Sequence, residues 1–430
     1  MSPELISILV LAVVFVIATT RSVNMGALAF AAAFGVGELV ADLDADGIFA
    51  GFPGDLFVVL VGVTYLFAIA RANGTTDWLV HASIRLVRGR VALIPWVMFF
   101  ITGALTAIGA VSPAAVAIVA PIALSFAARY GISPLLMGAM VVHGAQGGGF
   151  SPISIYGTIV NGIVERENLP GNEIALFLTS LIANLVIAGV VFVLFGGLKL
   201  WRQPTGNTAA TAATADPGTD GDETDGSETG PALTPARTAT LASLVALVVA
   251  VLAFDLDAGL TAVTLAALLS AVWPDDSRKA VTQIAWSTVL LICGVLTYVG
   301  VLDEMGTITW AGEGVGDIGV PLLAALLLCY IGAIVSAFAS SVGIMGALIP
   351  LAVPFLAQGE IGAVGMIAAL AVSATVVDVS PFSTNGALVL AAAPDVDRER
   401  FFRQLMIYGG IVVAVVPAAV WLVLVVPGFG

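Results

Sequence analysis

Charged residues are scarce in this sequence. Its 430 residues include 15 lysines and arginines and 29 acids, so 10% are charged, whereas soluble domains contain about 25%. Hydrophobic residues make up 59% and the mean hydropathy is +1.08. This composition excludes a water-soluble globular fold. Apolar stretches of roughly 17–22 residues recur throughout, each long enough to cross about 30 Å of hydrocarbon. We therefore predict an all-α integral membrane protein.

Residues that commonly carry catalysis are also few. There are two histidines and two cysteines. Cys293 and Cys329 lie in apolar runs and form no disulfide or metal-binding pattern. Neither H-E-x-x-H nor G-x-S-x-G occurs. We expect no catalytic residue, no cofactor and no nucleic-acid partner, and a membrane-embedded enzyme is the alternative from a different class.

An internal repeat organises the chain. Residues 103–157 and 332–386 match at 16 of 55 positions without a gap, at a constant offset of 229. The densest match is S-P-x-S-x-x-G, which spans 151–157 and again 380–386. Two related halves in a hydrophobic chain are typical of a secondary transporter.

The apolar pattern divides each half into five crossings and one helical hairpin. Because five is odd, the second half must enter the membrane from the opposite side, which predicts two inverted-topology repeats. The predicted units are a first repeat 1–202 with a re-entrant hairpin 92–128 and a broken helix 134–164, a disordered acidic linker 203–236, and a second repeat 237–430 with a re-entrant hairpin 319–357 and a broken helix 361–393.

Basic residues test this topology, because cytoplasmic loops carry an excess of them. With Arg21 inside, Arg166 alone of the 15 cations falls outside. The stretch 75–90 has three arginines, whereas its counterpart 303–317 has none and carries four acids. A parallel duplication would need the same bias in both. We predict a multi-pass protein of the cell membrane with a cytoplasmic linker and both termini outside.

Four chain breaks at membrane depth mark the predicted site, since irregular backbone there must be buried or line a cavity. Serine caps helix N-termini and proline suits their first position, and three breaks contain Ser-Pro. Four helix starts near the midplane would bind an anion, although Ser133-Pro134 shows that a Ser-Pro helix start at the membrane surface implies no ligand. The candidate substrate-binding residues are Ser112, Pro113, Gln146, Ser151, Pro152, Ser154, Ser340, Ser341, Ser380, Pro381, Ser383, Thr384 and Asn385.

Coupling-ion candidates lie at the same breaks. Gly147, Gly148 and Gly149 could expose carbonyls to a hard cation such as Na⁺, or could pack helices closely. Asp378, the only acid deep in a span, could bind Na⁺, carry a proton or cap a helix. His143 could titrate or could be a hydrogen-bonded packing residue.

At these residues the chain resembles the divalent-anion/sodium symporters of the ion-transporter superfamily. Its first 165 residues are similar to malonate-type dicarboxylate carriers, and the stretches that carry the likeness are 24–30, 51–57, 64–68 and 147–157. The resemblance implies a homodimer in the lipid bilayer. Each protomer would carry a dicarboxylate with Na⁺ by an elevator motion of its hairpins and broken helices.

The resemblance also implies ligands at the hairpin tips. The symporters carry Ser-Asn-Thr there, with side chains that meet substrate and sodium. By position, 111–113 and 340–342 occupy the tips, and neither contains asparagine. Ser112, Ser341, Ser336 and Ala339 become candidate ion ligands on this basis, and Ala107 lacks the hydroxyl of its counterpart Ser336. The departure weakens the sodium assignment more than the anion assignment.

The leading hypothesis is a Na⁺-coupled transporter of a small dicarboxylate such as malonate or succinate. Within transport, the alternative is a proton-coupled antiporter, or an exporter of another oxyanion, with Asp378 as proton carrier. A channel would not need matched pairs of half-helices around one site.

The linker generates the first prediction. Residues 203–235 are rich in Thr, Ala, Gly and Asp and cannot bury a core. Deletion of 205–234 should therefore leave both folding and transport intact, as measured by gel filtration and uptake into proteoliposomes. A folded deletion protein without transport would show that the linker is more than a tether.

Overall fold

The computed structural model describes residues 2–21, 23–84, 90–200, 233–254, 256–308, 310, 321–337, 341–357, 361–393 and 396–429. These residues form helices and turns and no strand. Most of the predicted linker lies outside them, as do Ser340 and Ala339.

The helices follow the predicted division into two halves. In the first half they are α1 (Pro3–Arg21), α2 (Met25–Leu39), α3 (Ala45–Ala50), α4 (Gly54–Ala72), α5 (Thr75–Ile84), α6 (Ile94–Ala107), α7 (Ser112–Tyr130), α8 (Pro134–Gly148), α9 (Ile155–Arg166), α10 (Glu173–Leu194) and α11 (Gly197–Leu200). In the second half they are α12 (Pro235–Phe254), α13 (Ala258–Val272), α14 (Pro274–Thr282), α15 (Trp286–Glu304), α16 (Pro321–Ser336), α17 (Ser341–Ala357), α18 (Ala363–Val376), α19 (Thr384–Ala392) and α20 (Arg398–Val420).

Side-chain caps explain where several helices begin. Asn24 accepts hydrogen bonds from the N–H groups of Gly26 and Ala27 at 2.9 and 3.2 Å. Asp257 accepts one from Leu260 at the start of α13, and Ser133 caps α8 as predicted. These bonds satisfy N–H groups that have no partner within the helix.

The C-terminal segment differs from the prediction. The apolar pattern of the sequence predicts an amphipathic stretch 394–405 and a separate span 406–428, but α20 runs without interruption from Arg398 to Val420 and continues as a π-helical turn to Val425. No glycine or proline occurs between 394 and 405 except Pro394, which precedes the helix, so nothing breaks the backbone where the composition changes.

Several helices have the length and composition of membrane spans. Six of the described helical segments have at least 18 residues and an apolar window, namely 54–72, 112–130, 173–194, 286–304, 363–392 and 398–425. Shorter apolar segments accompany them, including 3–18 of α1, 25–39 of α2 and 258–272 of α13. The chain is a multi-pass membrane protein.

Close helix crossings join the two halves. In α2 and α15, a side chain on Gly26 would overlap the carbonyl of Leu290, and one on Gly294 would overlap that of Gly26. In α4 and α13, a side chain on Gly62 would come within 2.6 Å of the Gly259 carbonyl. By chain order α2 corresponds to α13, and α4 to α15. Helix α2 therefore packs against the counterpart of α4, and α4 packs against the counterpart of α2.

A second group of helices surrounds α8 and α18. In α8 every residue from Leu135 to Gly148 is buried, and α18 is almost as completely enclosed. Helix α8 packs against α6, α7 and α10, and α18 packs against α16, α17 and α20. The same relation holds here: α7 contacts α19, and its counterpart α17 contacts α9, which is the counterpart of α19. The broken helices therefore lie in the interior, where they can hold a site.

The glycine crossing generates a stability prediction. Gly26→Ala places a methyl group against the backbone of α15 and should destabilise the protein by roughly 1–3 kcal/mol. The matched control is Gly35→Ala in the same helix, where a side chain would meet nothing within 4 Å. Thermal melting of the purified protein in detergent measures both. Equal melting temperatures for the two variants would contradict the close crossing.

Candidate functional site

Both broken helices are interrupted by a short turn that ends in a serine cap. Helix α8 ends at Gly148 and α9 begins at Ile155, with Ser154 accepting a hydrogen bond from Gly157 N–H at 3.2 Å. In the second half, a 3₁₀ turn over Val377–Val379 follows α18, and Ser383 caps α19 through Gly386 N–H at 3.3 Å. The repeated motif thus forms the same turn twice.

The predicted capping serines are corrected by this geometry. Ser151 and Ser380 were expected to cap helices that start at Pro152 and Pro381, but the helices start three residues later. Ser154 Oγ donates to the Ser151 carbonyl at 2.7 Å and Ser383 Oγ donates to the Ser380 carbonyl at 2.7 Å, so each cap also closes its turn. Ser151 instead donates to the carbonyl of Ala107 and ties the break to the first hairpin.

The two hairpin tips place serines in the interior. Ser112 is the first residue of α7 and does not act as its side-chain cap, because Val111 holds that position. Its Oγ accepts a hydrogen bond from Asn385 Nδ2 at 2.8 Å, with a longer contact to Gln146 Nε2 at 3.5 Å. Ser341 begins α17, and its Oγ accepts a hydrogen bond from Ser336 at 2.9 Å. Both tip serines are buried.

Asp378 is the centre of a buried polar network. Its carboxylate accepts hydrogen bonds from Ser341 Oγ at 2.6 Å and from Gln146 Nε2 at 2.7 Å. Gln146 belongs to the first half and Ser341 to the second, so the carboxylate joins the two. Asp378 is 6% exposed, and among the described residues no basic side chain forms an ion pair with it. The structure therefore brings the tips and breaks together around one acid.

Two amide oxygens in this network have no hydrogen-bond partner among the described residues. They are Gln146 Oε1 and Asn385 Oδ1, and both side chains are at most 1% exposed. Gln146 Nε2 must face the Asp378 carboxylate because only the amide nitrogen can donate to it. This fixes the orientation of the amide and identifies Oε1 as the atom without a partner. Buried carbonyl-type oxygens are rarely left unpaired, and together with a carboxylate they suit a hard cation.

The predicted unwinding at the glycines is wrong for two of the three. Helix α8 continues through Gly147 and Gly148, and only Gly149 lies beyond it. A side chain on Gly148 would overlap the Gly103 carbonyl of α6, so this glycine permits close packing. The Gly149 carbonyl accepts hydrogen bonds from Ser154 Oγ and from Gly157 N–H. These glycines match the packing alternative better than the exposed-carbonyl one.

His143 is fully buried in a separate hydrogen-bonded group. Its Nδ1 lies 2.9 Å from Asn184 Oδ1, and its Nε2 lies 2.6 Å from the Tyr408 hydroxyl. Asn184 Nδ2 in turn donates to the Ser180 carbonyl at 2.9 Å. The imidazole thus links α8, α10 and α20 with both ring nitrogens paired, which favours the packing interpretation.

A cavity of about 740 Å³ opens onto the site. All four internal helix starts contribute to its lining, through Pro113, Tyr156, Ser341 and Thr384, and Asp378 lies among them. Away from the breaks, the lining includes residues at the end of α4 and at the starts of α2 and α15, namely Asn24, Met25, Arg71, Ser287 and Thr288. The cavity therefore leads from Asp378 towards one end of the helices.

Two of these residues escaped the sequence analysis. Tyr156 occupies the repeat position of Asn385, which was the available signal. Arg71 lies at the end of a predicted span, so in the sequence it counts only as one of the 15 cations that test the topology.

The histidine group generates a stability prediction. Tyr408→Phe removes the hydroxyl beside His143 and leaves a buried ring nitrogen unpaired, which should cost roughly 1–3 kcal/mol of stability. Tyr330→Phe is the control, because the Tyr330 hydroxyl donates to the Ala414 carbonyl in an exposed contact. Thermal melting measures the difference. A normal melting temperature for Tyr408→Phe, combined with an altered pH profile of activity, would instead make His143 a titrating functional residue.

The N-terminal part of the chain matches a family model. Residues 1–149 match the model described as the dicarboxylate carrier protein MatC N-terminus. The match covers the first hairpin and α8, which is the part of the first broken helix that precedes the turn. It agrees with the resemblance to dicarboxylate carriers in this region. No curated protein matches the chain significantly in sequence.

A solved structure shares the fold of almost the whole chain. It is the YdaH transporter of Alcanivorax borkumensis, described as having an unusual topology. The two chains are 13% identical, with a TM-score of 0.55 over 88% of this chain and 89% of that one. Both comparisons are with transport proteins, in agreement with the expectation that this chain is not an enzyme. The chain is thus similar at its N-terminus to a dicarboxylate carrier, and over 88% of its length it shares the fold of a solved transporter.

Proposed function

We propose that the protein is a secondary active transporter of a small dicarboxylate, such as malonate or succinate, coupled to Na⁺. The observation that carries the proposal is the meeting of both hairpin tips and both helix breaks around Asp378, in a cavity of about 740 Å³. The match of residues 1–149 to a dicarboxylate carrier model supports the substrate class.

Helix starts supply the means to bind an anion. Each carries about half a positive charge and N–H groups without a helical partner. The starts of α7, α9, α17 and α19 all border the cavity, so a dianion placed there would meet several at once. Ser341 and Thr384 line the cavity and add side-chain hydroxyls. This arrangement binds carboxylates without a basic side chain at the centre.

Asp378 makes a coupling cation necessary. Two like charges 4 Å apart repel by about 1 kcal/mol in water and about 4 kcal/mol at an effective dielectric constant of 20. A dicarboxylate next to the Asp378 carboxylate would experience this repulsion, and among the described residues no basic side chain pairs with the acid. Na⁺ would remove it, and the carboxylate with the unpaired oxygens of Gln146 and Asn385 offers suitable ligands.

The packing supports an elevator motion of one group of helices against another, with both groups built from helices of both repeats. One group of helices crosses through glycines, α2 with α15 and α4 with α13, and forms the proposed fixed scaffold. The hairpins, broken helices, α10 and α20 form the proposed moving unit. The exchanged contacts between the halves agree with the pseudo-twofold relation that we propose for two inverted repeats. We also propose a homodimer, as the resemblance to the symporters implies.

Charges support the proposed sidedness. Arg71 ends α4, and Arg237 near the start of α12 donates to the Asn73 carbonyl at 3.0 Å, so the C-terminal end of the linker lies beside the end of α4. At the opposite helix ends, Arg166 donates to the Phe52 carbonyl. The positive-inside rule then makes the linker side cytoplasmic, with both termini outside. The cavity opens towards the cytoplasm in this conformation.

The second candidate is proton-coupled transport of a dicarboxylate or another oxyanion. The buried position of Asp378 and its two donated hydrogen bonds favour it, because an acid held this way can also carry a proton. The two candidates differ in which gradient drives uptake.

Uptake into proteoliposomes tests the proposal. Labelled malonate and succinate are supplied with Na⁺ and H⁺ gradients imposed separately. Accumulation driven by Na⁺ alone is expected, whereas accumulation driven only by H⁺ would favour the second candidate. Absence of uptake for both acids under either gradient would overturn the dicarboxylate assignment.

Asp378→Asn provides the sharpest variant. The amide keeps the size of the side chain but removes the charge that the coupling cation neutralises. We expect Na⁺-driven accumulation to fall to the level of empty vesicles, while the melting temperature changes little.

The matched control is Asp257→Asn. Asp257 caps α13 from an exposed position, and asparagine is an equally good cap. This variant should transport like the wild type. Full Na⁺-coupled uptake by Asp378→Asn would make Asp378 a structural residue and remove it from the coupling mechanism.

A further inference from the structure

Arg71 is the only basic residue among the described residues that line the central cavity, and Asp378 is the only acid. Arg71 lies in the last turn of α4, where a membrane-spanning helix ends, whereas Asp378 lies at a helix break. The cavity therefore has an acid at its inner part and a guanidinium at the helix ends. Asn24, Ser287 and Thr288 also line the cavity, at the end where Arg71 lies.

We propose that Arg71 forms a second carboxylate-binding site at the end of the cavity away from Asp378. The site would receive the dicarboxylate before it reaches the helix starts around Asp378, or hold it briefly as it leaves. This inference rests on the proposed function and adds to it a residue that determines apparent affinity. A guanidinium binds a carboxylate through paired N–H donors that match its geometry.

The hydrogen bonding of Arg71 fits this role. Its Nε donates to Gln283 Oε1 at 3.0 Å, which orients the guanidinium between the end of α4 and the loop before α15. Gln283 also lines the cavity. A neutral amide partner orients the arginine without neutralising its charge, whereas an acid would do both. The charge thus remains available to an anion in the cavity.

The surrounding groups add donors and no competing acid. Helix α15 begins at Trp286, and Ser287 and Thr288 of its first turn line the cavity. Asn24 Nδ2 donates to the Ser287 carbonyl at 2.9 Å and holds the start of α2 against this turn. A dianion would therefore encounter a fixed positive group and hydroxyls before it meets the negative charge of Asp378, and the positive charge at this end of the cavity raises the local concentration of an anionic substrate.

Uptake kinetics with four variants test the inference. Arg71→Gln removes the charge, and Arg71→Lys keeps the charge without the paired donors. Gln283→Ala removes the orienting partner but leaves the arginine. Arg129→Gln is the control, because Arg129 is an exposed arginine near the end of α7 that does not line the cavity. Malonate and succinate are the probes, and thermal melting shows whether each variant folds.

For Arg71→Gln we expect KM to rise roughly 5- to 20-fold with kcat nearly unchanged, which corresponds to losing one charge-assisted hydrogen bond. Arg71→Lys should show a smaller rise, and Gln283→Ala and Arg129→Gln should stay within about twofold of the wild type. If Arg71→Gln does not fold, the rise in KM for Arg71→Lys decides.

Three results would overturn the inference. An unchanged KM for Arg71→Gln would remove Arg71 from the substrate path. An equal effect of Gln283→Ala would make the pair a structural link between the halves. A fall in kcat at constant KM would assign Arg71 to the conformational change. In each case uptake by the wild type persists, whereas absence of wild-type uptake would overturn the proposed function together with this inference.

Discussion

The buried carboxylate of Asp378 is held by one donor from each half of the chain, Gln146 and Ser341, and the rest of the site depends on these two hydrogen bonds. A carboxylate removed from water is costly unless it is hydrogen-bonded or paired. Gln146 lies at the end of α8 and Ser341 lies at the tip of the second hairpin, so stabilising this acid requires both breaks and a tip to meet. Among the described residues, the amide oxygens of Gln146 and Asn385 in this network have no hydrogen-bond partner.

A second constraint comes from the bilayer. Backbone N–H and carbonyl groups at a break cannot be left to lipid, and here serines satisfy them. Ser154 and Ser383 each accept from an N–H group and donate to a carbonyl of the same turn. The turns are therefore stable without solvent, and the helices that start after them can point their N-termini into a cavity. The proposed anion binding and the stability of the breaks thus have the same structural origin.

Much of this arrangement could be predicted because it depends on local residue types. The apolar runs, the repeat of S-P-x-S-x-x-G and the position of Asp378 in a span are visible in the sequence, and the helices of the structure fall at these places. The proposed substrate class comes from a resemblance over the first 165 residues, and the family model matches residues 1–149 of that region. The prediction of which serines cap these helices was wrong. Ser-Pro favours a helix start in general, whereas here the turn needs a serine that accepts a hydrogen bond from an N–H group and donates one to a carbonyl.

Other features could not be predicted, because they depend on contacts between distant parts of the chain. The sequence does not show that Gly148 faces α6 at close range, so helix packing and carbonyl exposure looked equally reasonable for Gly147–Gly149. The partners of His143 come from α10 and α20, and Arg71 reaches the cavity only because α4 ends beside the loop before α15. Such pairings require the three-dimensional packing of both halves.

The most direct test of the central claim is a structure of the protein in lipid nanodiscs with saturating malonate and Na⁺. The account predicts density for the dianion between the starts of α7 and α17, and density for a cation within ligand distance of the Asp378 carboxylate. A malonate bound elsewhere in a folded protein, with the hydrogen bonds of Asp378 to Gln146 and Ser341 unchanged and the region between the tips empty, would contradict it.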